Sequence, residues 1–276
     1  MKNSKILTIQ DISCVGQCSL TVALPILSAC GLETAILPSA VLSTHTAFKG
    51  FTFRDLTDDM PSIIEHWDKE NIRFSCVYTG YLGSVRQIDI VKNVFGTLLT
   101  DDGLRIVDPA MADNGKLYVG FDDAFVAEMA ELASEADILL PNITEASLLT
   151  GLSYREHYDA LYVDELLSVL HARGTKTVVL TGVSYDSDTT GVVVSEIGKE
   201  MQYYRHEKLS RSCHGTGDVY ASAFTGAMMN GKTPYEAAVI AANYTLACMK
   251  NTASDPEHWY GVKFEGVLHT LIDALK

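Results

Sequence analysis

The sequence is short of positive charge and of long hydrophobic runs, and each shortage excludes a class of protein. Its 276 residues include 21 Lys and Arg against 35 Asp and Glu, which gives a net charge of -14. Because binding to nucleic-acid phosphates requires a basic face, this balance argues against a nucleic-acid partner. No apolar stretch approaches the length that crosses a bilayer, so we also expect no membrane partner.

Closely paired cysteines are absent too. None of the six cysteines forms a C-x-x-C pair, so zinc and redox motifs of that kind are excluded. Buried free thiols in a reducing compartment are the better interpretation for a chain of this length. The N-terminus has no secretory leader pattern, and we therefore expect a cytoplasmic protein. The cysteines are Cys14, Cys18, Cys30, Cys76, Cys213 and Cys248.

Hydrophobic residues make up 47% of the chain, enough for a large core, and they are arranged in short runs. Runs of strand length alternate with helical patterns, which predicts a doubly wound α/β fold: a mostly parallel sheet with helices on both faces. The predicted strands are residues 5–10, 34–38, 74–78, 104–107, 137–140 and 177–180. The predicted helices are residues 19–30, 61–69, 85–98, 121–132 and 163–172.

Two regions interrupt this alternation. Residues 41–55 alternate polar and apolar side chains without a covering helix, which predicts a small β flap or edge extension. Its aromatic residues suit either the covering of a ligand or partner subunit, or packing as a surface hairpin. Residues 191–206 predict an antiparallel strand pair. Since no repeat or long linker is present, residues 1–276 are expected to form a single domain.

The strongest motif is Gly215-Thr216-Gly217-Asp218, which opens an apolar helical pattern. Glycines at a helix start allow close approach to the free N–H groups, and together with the helix dipole these form an anion hole suited to a transferring phosphoryl group. Asp218 in the first turn can accept the proton of an attacking hydroxyl. Taken alone, Asp218 is better explained as an acid that complements a helix N-terminus.

A second glycine pattern, from Gly226 to Thr233, matches a phosphate-binding P-loop letter for letter. A P-loop requires a strand before it and a helix that opens on its Lys-Thr pair. Here an apolar helix precedes the pattern. We therefore interpret Gly231 as the end of that helix, Thr233 as the cap of the next one and Pro234 as its first residue.

Polar residues follow three of the predicted strands. Asp108 ends one strand, Asn142 and Glu145 follow a second, and Thr181 with Gly182 ends a third. Open α/β sheets bind ligands at the carboxyl ends of their strands, and carboxylates there suit Mg²⁺. Individually, Asp108 also fits a turn and Glu145 a helix cap. Jointly with the anion hole, these residues favour an enzyme that uses a nucleotide, with Asp218 as the base of a kinase.

The order of these segments resembles the ribokinase-like superfamily and, within it, the pyridoxal kinases, over nearly the whole chain. The matching pieces are Ile9-Gln10, Thr79-Gly80-Tyr81-Leu82-Gly83, Asp108-Pro109, Pro141-Asn142 with Glu145, and Gly215-Thr216-Gly217-Asp218. The resemblance implies transfer of phosphate from ATP to the 5′-hydroxyl of pyridoxal, pyridoxamine or pyridoxine. It further implies Mg²⁺ and a homodimer, and it leaves open a monovalent cation such as K⁺.

The resemblance also implies roles for individual residues. Asp218 would be the base and would also lie at the substrate, with Gly215, Thr216 and Gly217 as the anion hole. Asp108 and Glu145 would organise Mg²⁺ and the ATP phosphates. The remaining implied contacts are Asn142, Thr181, Gly182, Gly215 and Gly217 for ATP, Thr46 and Tyr81 for the pyridine ring, and a mobile flap at 111–118 that closes over ATP.

One position departs from the family pattern. Many members carry a serine directly after Ile-Gln that contacts the vitamin ring, whereas this chain has Asp11, with Ser13 two residues later. A carboxylate there can pair with a protonated ring nitrogen or lie in a turn. The departure therefore concerns the choice of vitamer and leaves the chemistry unaffected.

Three alternatives remain. A hydroxymethylpyrimidine kinase has the same fold and base, but the segment 11–19 is a poor version of the Gly/Ser-rich loop usual in that group. An ADP- or ATP-dependent dehydratase of hydrated NAD(P)H shares a similar motif but gives no reason for Tyr81 and Thr46. A vitamin-binding sensor without activity is disfavoured because Asp218 and both glycines are intact.

Overall fold

The computed structural model describes residues 5–210, 213–255 and 257–276. A nine-stranded sheet forms its centre, and a two-stranded hairpin lies beside it. The strands are β1 (Lys5–Ser13), β2 (Glu33–Leu42), β3 (Phe53–Asp55), β4 (Phe74–Thr79), β5 (Leu99–Val107), β6 (Ala112–Asp113), β7 (Lys116–Leu117), β8 (Ile138–Leu139), β9 (Thr177–Val183), β10 (Thr189–Glu196) and β11 (Gln202–Glu207).

The strand order in the large sheet is β11-β10-β9-β8-β5-β4-β1-β2-β3. The strands from β9 to β2 run parallel, and antiparallel pairs occur only at the two edges of the described sheet. The predicted fold class is thus confirmed. Because β2 and β4 flank β1, the connections leave β1 and β4 in opposite directions, which opens a crevice at the carboxyl ends of these strands.

Helices cover both faces of the sheet. On one face α2 to α6 pack against the side chains of Leu7, Val77 and Val107, and on the other face α1, α7, α8 and α9 pack against those of Ile6, Cys76 and Ile106. The helices are α1 (Leu20–Ala29), α2 (Met60–Lys69), α3 (Val85–Thr97), α4 (Asp123–Ser134), α5 (Ile143–Thr150), α6 (Ala160–Ala172), α7 (Thr216–Met229), α8 (Pro234–Ala253) and α9 (Leu268–Leu275). Among the helices of the described ranges, none is both long and apolar enough to span a bilayer.

The bounds of β1 and β5 differ most from those that the sequence predicts. β1 continues past Gln10 to Ser13, through a bulge opposite β2, because Asp11 and Ser13 are polar yet buried and bonded to each other. β5 starts at Leu99, five residues before the expected apolar run, in a segment rich in Asp that the hydrophobic pattern does not reveal.

The two interruptions of the α/β pattern occur at the sheet edges. Within 41–55, β3 pairs antiparallel with the end of β2, so this segment is an edge extension with a turn-rich excursion between the strands. Within 191–206, β10 and β11 form the predicted antiparallel pair at the opposite edge.

The P-loop pattern is the junction of two helices, as predicted. α7 ends at Met229, and Gly231 has a φ of 83°. The side chain of Thr233 caps α8 in a capping box with Glu236, and Pro234 is the first helical residue.

Candidate active site

The N-terminus of α7 presents a group of backbone N–H donors at the carboxyl edge of the sheet. Gly215 caps the helix with a φ of 80°, and a Cβ built on it would lie 2.2 Å from the carbonyl oxygen of Gln17. Only glycine fits this close crossing of two chain segments. Thr216 and Gly217 start the helix, so their N–H groups have no acceptor within it and are available to an anion.

Asp218 lies in the first turn of α7 and is half-buried. Burial raises the pKa of its carboxyl to about 7, and the negative charge of Asp11 acts in the same direction. The backbone N–H of Ser19 donates a hydrogen bond to the carboxylate, which opposes the shift and orients the group. A carboxylate with a pKa near neutrality is well suited to accept a proton from a hydroxyl.

Asp108 follows β5 at the same edge of the sheet. Its own N–H donates to the carbonyl of Thr79 at 3.1 Å, and its Oδ1 accepts the N–H of Ala110 at 3.1 Å. Burial, followed by the charges of Glu145 and Asp218, raises the pKa of Asp108 well above its usual range. Asp108 therefore lies near both Glu145 and Asp218, whose charges disfavour its ionisation.

Glu145 has a structural duty that the sequence did not reveal. Its Oε1 accepts the N–H groups of Met111 at 3.0 Å and Ala112 at 3.4 Å, and its Oε2 accepts the N–H of Asn142 at 2.9 Å. The side chain is only 2% exposed, and burial raises its pKa to about 7 despite these three donors. Both oxygens are thus occupied in tying helix α5 to the segment after β5.

Asn142 completes this connection. Its Oδ1 caps α5 by accepting the N–H of Glu145, and its Nδ2 donates to the carbonyl of Ala112 at 2.8 Å. The hydroxyl of Thr144 accepts the N–H of Gly115 at 3.0 Å. The predicted flap at 111–118 is therefore the hairpin β6–β7, whose base is buried and held by α5.

The turn of the flap lies at the surface, because residues 113–116 are exposed. Tyr118 is 43% exposed, and Val119 is fully exposed. The pKa of the Tyr118 hydroxyl is raised by burial and then by Glu145, Asp113, Asp108 and Asp218, so this ring lies over the acidic group of residues.

Thr181 and Gly182 lie where the sequence predicts, near the end of β9. The N–H and hydroxyl of Thr181 both donate to the carbonyl of Pro141, at 2.9 and 3.3 Å, which brings Thr181 beside Asn142. Gly182 is exposed with a φ of 70°, a backbone shape that glycine adopts without strain.

Asp11 lies in β1, which β4 separates from β5, the strand that precedes Asp108. It is 4% exposed, and it accepts hydrogen bonds from the hydroxyls of Ser13, at 2.9 Å, and Ser19. Burial raises its pKa. Burial and then the charge of Asp11 also raise the pKa of Tyr81, so the two side chains are near one another. Thr46 is exposed on the excursion between β2 and β3, and no contact in the described part of the chain links it to this group.

The buried residue of that excursion is His45, which the sequence analysis did not single out. Its Nδ1 accepts the N–H of Ala47 at 3.2 Å, so its Nε2 carries the proton and donates to the carbonyl of Tyr260 at 2.8 Å. Burial lowers its pKa, in keeping with a neutral ring. The centroid of the His45 ring lies 5.1 Å from that of His214, the residue directly before the anion hole.

The segment 257–265 was also missed. Gln17 bonds to His258 and Glu265, both at 2.7 Å, and a Cβ on Gly261 would lie 2.6 Å from the carbonyl of Gly16. These contacts clamp the loop after β1 against the anion hole. Gly16 and Gly261 were the sequence features that could have indicated this contact, because glycines occur where two backbones approach closely.

The acidic residues Asp108, Glu145 and Asp218 form a site that suits Mg²⁺. Within residues 5–210, 213–255 and 257–276, no three His, Cys, Asp or Glu side chains are arranged to hold a metal by themselves. Mg²⁺ is bound through one or two carboxylates together with water and phosphate oxygens, so it does not require such a cage. A divalent cation beside Asp108 would also relieve the repulsion that raises the pKa values of these acids.

Comparisons with known proteins agree with this geometry. The model of the family "Phosphomethylpyrimidine kinase" matches residues 63–262. A putative phosphomethylpyrimidine kinase from Bacteroides thetaiotaomicron, crystallised with pyridoxal, is 37% identical with a TM-score of 0.93, covering 98% of this chain and 96% of that chain.

Two further relatives are named for a B6 vitamer. The pyridoxal kinase structure from Lactobacillus plantarum is 31% identical with a TM-score of 0.90, covering 98% of this chain and 97% of that chain. The pyridoxal kinase of Dictyostelium discoideum is 27% identical over 80% of this chain and 77% of its own length. The chain therefore belongs to the phosphomethylpyrimidine kinase family, in the part of the ribokinase-like superfamily that contains the pyridoxal kinases.

Proposed function

We propose that this protein is a kinase that transfers the terminal phosphoryl group of ATP to the 5′-hydroxyl of pyridoxal, pyridoxamine or pyridoxine. The observation that carries the proposal is the position of Asp218, a carboxylate with a pKa near 7 at the mouth of the α7 anion hole. Relatives named pyridoxal kinase support the substrate, and a related structure contains ADP and pyridoxamine.

In the proposed reaction, Asp218 takes the proton of the substrate hydroxyl as its oxygen bonds to the terminal phosphorus. The bond from that phosphorus to the bridging oxygen breaks, and ADP leaves. The N–H groups of Thr216 and Gly217, beside Gly215, stabilise the phosphoryl oxygens. The close contact of Gly215 with the backbone of Gln17 holds these donors in place.

The nucleotide is proposed to lie along the strand ends beyond α7. Asp108 would hold Mg²⁺, which when bound would neutralise phosphate charge. Glu145 and Asn142 would act mainly by fixing the flap, since their side chains already bond to it. Thr181 and Gly182 would contact the nucleotide from β9.

The pyridine ring is proposed to bind between Asp11, Ser13 and Tyr81. This placement is supported by Asp11, whose charge raises the pKa values of both Tyr81 and Asp218. Thr46 would reach the ring only if the exposed excursion around it moved inward.

A hydroxymethylpyrimidine kinase is the second candidate, because the matching family model is named for phosphomethylpyrimidine kinase.

A panel assay separates the candidates. Purified protein with Mg²⁺ and ATP is offered the three B6 vitamers, hydroxymethylpyrimidine and hydrated NADH, and ADP release is measured. We expect turnover with the vitamers. Turnover confined to the pyrimidine would overturn the substrate, dehydration of NADH hydrate would overturn the reaction class, and no turnover would favour a sensor.

We further propose a cytoplasmic homodimer of single-domain subunits. One domain over 1–276 is supported by a sheet that joins strands from β1 to β11 and by helices α8 and α9 packed on it. The dimer surface would be the region of β3, the outermost strand, where Phe51, Phe53 and Trp259 are exposed. Light scattering should give a dimer for the native chain and for Ile197→Asp, an exposed control at the far edge, and a monomer for Phe53→Asp.

A further inference from the structure

The end of β9 contains a β-bulge at Gly182. In the antiparallel pairing of β9 with β10, Val192 lies opposite Thr181. Gly191 lies opposite Val183, so Gly182 has no partner on β10. Its φ of 70° is the left-handed conformation of a glycine in such a bulge. Bulges occur beside active sites, where they redirect the backbone, and this one lies at the carboxyl edge of the sheet.

The hydroxyl of Tyr158 bonds to the backbone at this bulge. It accepts a hydrogen bond from the N–H of Ser184 at 2.9 Å and donates one to the carbonyl of Gly182 at 3.4 Å. Tyr158 lies just before α6, so the contact comes from a different part of the chain. A single hydroxyl therefore joins a carbonyl and an N–H group two residues apart, and it fixes the orientation of the peptides between them.

Other tyrosines hold the ring of Tyr158 in this position. The ring is half-buried, and its centroid lies 6.0 Å from that of Tyr162 and 6.1 Å from that of Tyr185. Tyr185 in turn packs edge-to-face on Tyr203, whose hydroxyl donates to the carbonyl of Val183 at 3.4 Å. Such ring contacts favour one orientation of each side chain. The bulge is thus held by hydroxyls from two segments, one before α6 and one on β11.

The space beside the α-carbon of Gly182 is open. A Cβ built there would meet no atom within 4 Å, and the residue is exposed. Thr181, directly before it, bonds to the carbonyl of Pro141 and lies beside Asn142. The open space therefore borders the strand ends along which the nucleotide is proposed to lie.

We propose that Tyr158 is a positioning residue for the nucleotide, because its hydroxyl holds the Gly182 bulge in the shape that contacts ATP. Without this hydroxyl, the carbonyl of Gly182 and the N–H of Ser184 would bond to water instead. The backbone around Gly182 would then sample other conformations, since glycine has the widest choice of them. ATP would have to order the bulge on binding, which lowers affinity. This inference rests on the contact between Gly182 and nucleotide in the proposed function.

The first test measures nucleotide binding by calorimetric titration with Mg·ADP. We expect a Kd about fivefold higher for Tyr158→Phe than for the native protein, the size of effect that loss of one hydrogen bond gives. The matched control is Tyr162→Phe, whose hydroxyl donates to the carbonyl of Ser153 at 2.8 Å and not to the bulge. It loses a comparable hydrogen bond and should keep the native Kd. An unchanged Kd for Tyr158→Phe, or equal increases in both variants, would overturn the positioning role.

Steady-state kinetics should show the same separation. The KM for ATP should rise about fivefold in Tyr158→Phe, whereas kcat and the KM for pyridoxal should stay within about twofold of native. The reason is that no hydrogen bond in the described part of the chain joins Tyr158 to Asp218 or Asp108. A lower kcat with an unchanged KM for ATP would contradict the inference.

Amide hydrogen exchange followed by NMR tests the geometry without turnover. The N–H of Ser184 should exchange about tenfold faster in Tyr158→Phe than in the native protein, and Tyr162→Phe should leave it unchanged. Equal exchange in native protein and Tyr158→Phe would overturn the proposal. If Tyr158→Phe does not fold, ADP is added to the native protein: exchange should slow at Gly182 and Ser184 but not at Ser153, and no change at Gly182 would overturn the inference.

Failure of the inference is distinguishable from failure of the proposed function. If the native protein binds ADP but phosphorylates no vitamer, the proposed substrate is wrong, while the ratio of Kd values still decides the role of Tyr158. If the native protein binds no ADP, both proposals are wrong. If vitamers are phosphorylated and Tyr158→Phe binds ADP as tightly as the native protein, the inference alone is wrong.

Discussion

The carboxylate of Asp218 accepts a hydrogen bond from the backbone N–H of Ser19, a residue in the loop after the first strand. Ser19 adopts a φ of 54°, which is unusual for a residue with a side chain. The base is thus oriented by a constrained loop from the opposite end of the chain. Local strain of this kind is kept where the surrounding structure enforces it.

Asp218→Asn should lower kcat by about 10³-fold while ATP binding persists, because the amide keeps the shape of the side chain but cannot take a proton. Steady-state kinetics and calorimetric titration with ATP measure the two quantities. Asp164→Asn, on the exposed face of α6, is the matched control and should retain the native rate. A variant at 218 with most of its rate would remove Asp218 as the base.

The rate should depend on pH near neutrality. Since the pKa of Asp218 is about 7, kcat should rise tenfold per pH unit below that value and level off above about pH 8.

The stability of the folded protein should depend on pH in the opposite direction to the rate. The folded pKa lies above the unfolded value of about 4, so protons bind more tightly to the folded state and the free energy of unfolding falls as pH rises through about 7. Thermal melting of native and Asp218→Asn protein at several pH values checks this. The melting temperature of the native protein should fall more steeply with rising pH than that of the variant.

A pair of alanine substitutions separates the two glycines of the anion hole. Gly215→Ala should lower the free energy of unfolding by about 2 kcal/mol or more, because the new Cβ meets Gln17 and the φ of 80° is strained for alanine. Gly217→Ala meets no atom within 4 Å and should be neutral or stabilising in the helix. Denaturant unfolding measures both. If both substitutions lowered the free energy of unfolding equally, the close contact with Gln17 would not be the reason that position 215 requires glycine.

Glu145→Gln tests the role of the flap anchor. The amide can replace only part of the three backbone N–H bonds, so we expect a loss of about 1.5–3 kcal/mol in stability and a higher KM for ATP. The control is Glu131→Gln, exposed on α4. If Glu145 acted only as a direct Mg²⁺ ligand, the Mg²⁺ requirement would change while the stability of the metal-free protein would not.

Asp11→Ser restores the residue usual at this position and tests vitamer choice. Pyridoxamine carries an ammonium group, whereas pyridoxine is neutral at the same carbon. Because Asp11 is buried beside the proposed ring site, its removal should raise the KM for pyridoxamine about tenfold relative to pyridoxine. Asp89→Ser, exposed on α3, should leave the ratio unchanged. If the KM changed equally for both vitamers, Asp11 would not recognise the ammonium group of pyridoxamine.

Much of the fold could be predicted from hydrophobic patterns, because buried parallel strands are short continuous apolar runs. Strand ends with Asp108, Asn142 and Thr181 could be placed for the same reason: carboxyl ends of parallel strands share an edge. What could not be predicted depends on long-range contacts. Nothing local in Glu145 indicates that it binds Met111, and nothing local in His45 indicates that it binds Tyr260.

The substrate side shows the same limit. The family resemblance implies that Thr46 contacts the ring, and this stays a prediction; in this structure Thr46 is exposed and its neighbour His45 is buried. The predicted strand ends at residue 10, yet Asp11 lies buried within β1, which continues to Ser13. Polar residues that are buried through mutual hydrogen bonds escape hydrophobic patterning, and active sites are where such residues concentrate.

The clamp on the loop after β1 has a consequence for biosynthesis. Gln17 is bonded to Glu265 and crossed by Gly215, contacts that span most of the chain. The donors and the base can assume their final geometry only after the ribosome has released these late residues, so a nascent chain is expected to bind neither nucleotide nor vitamin productively. Catalytic competence would then require residues 257–265 to have left the ribosome.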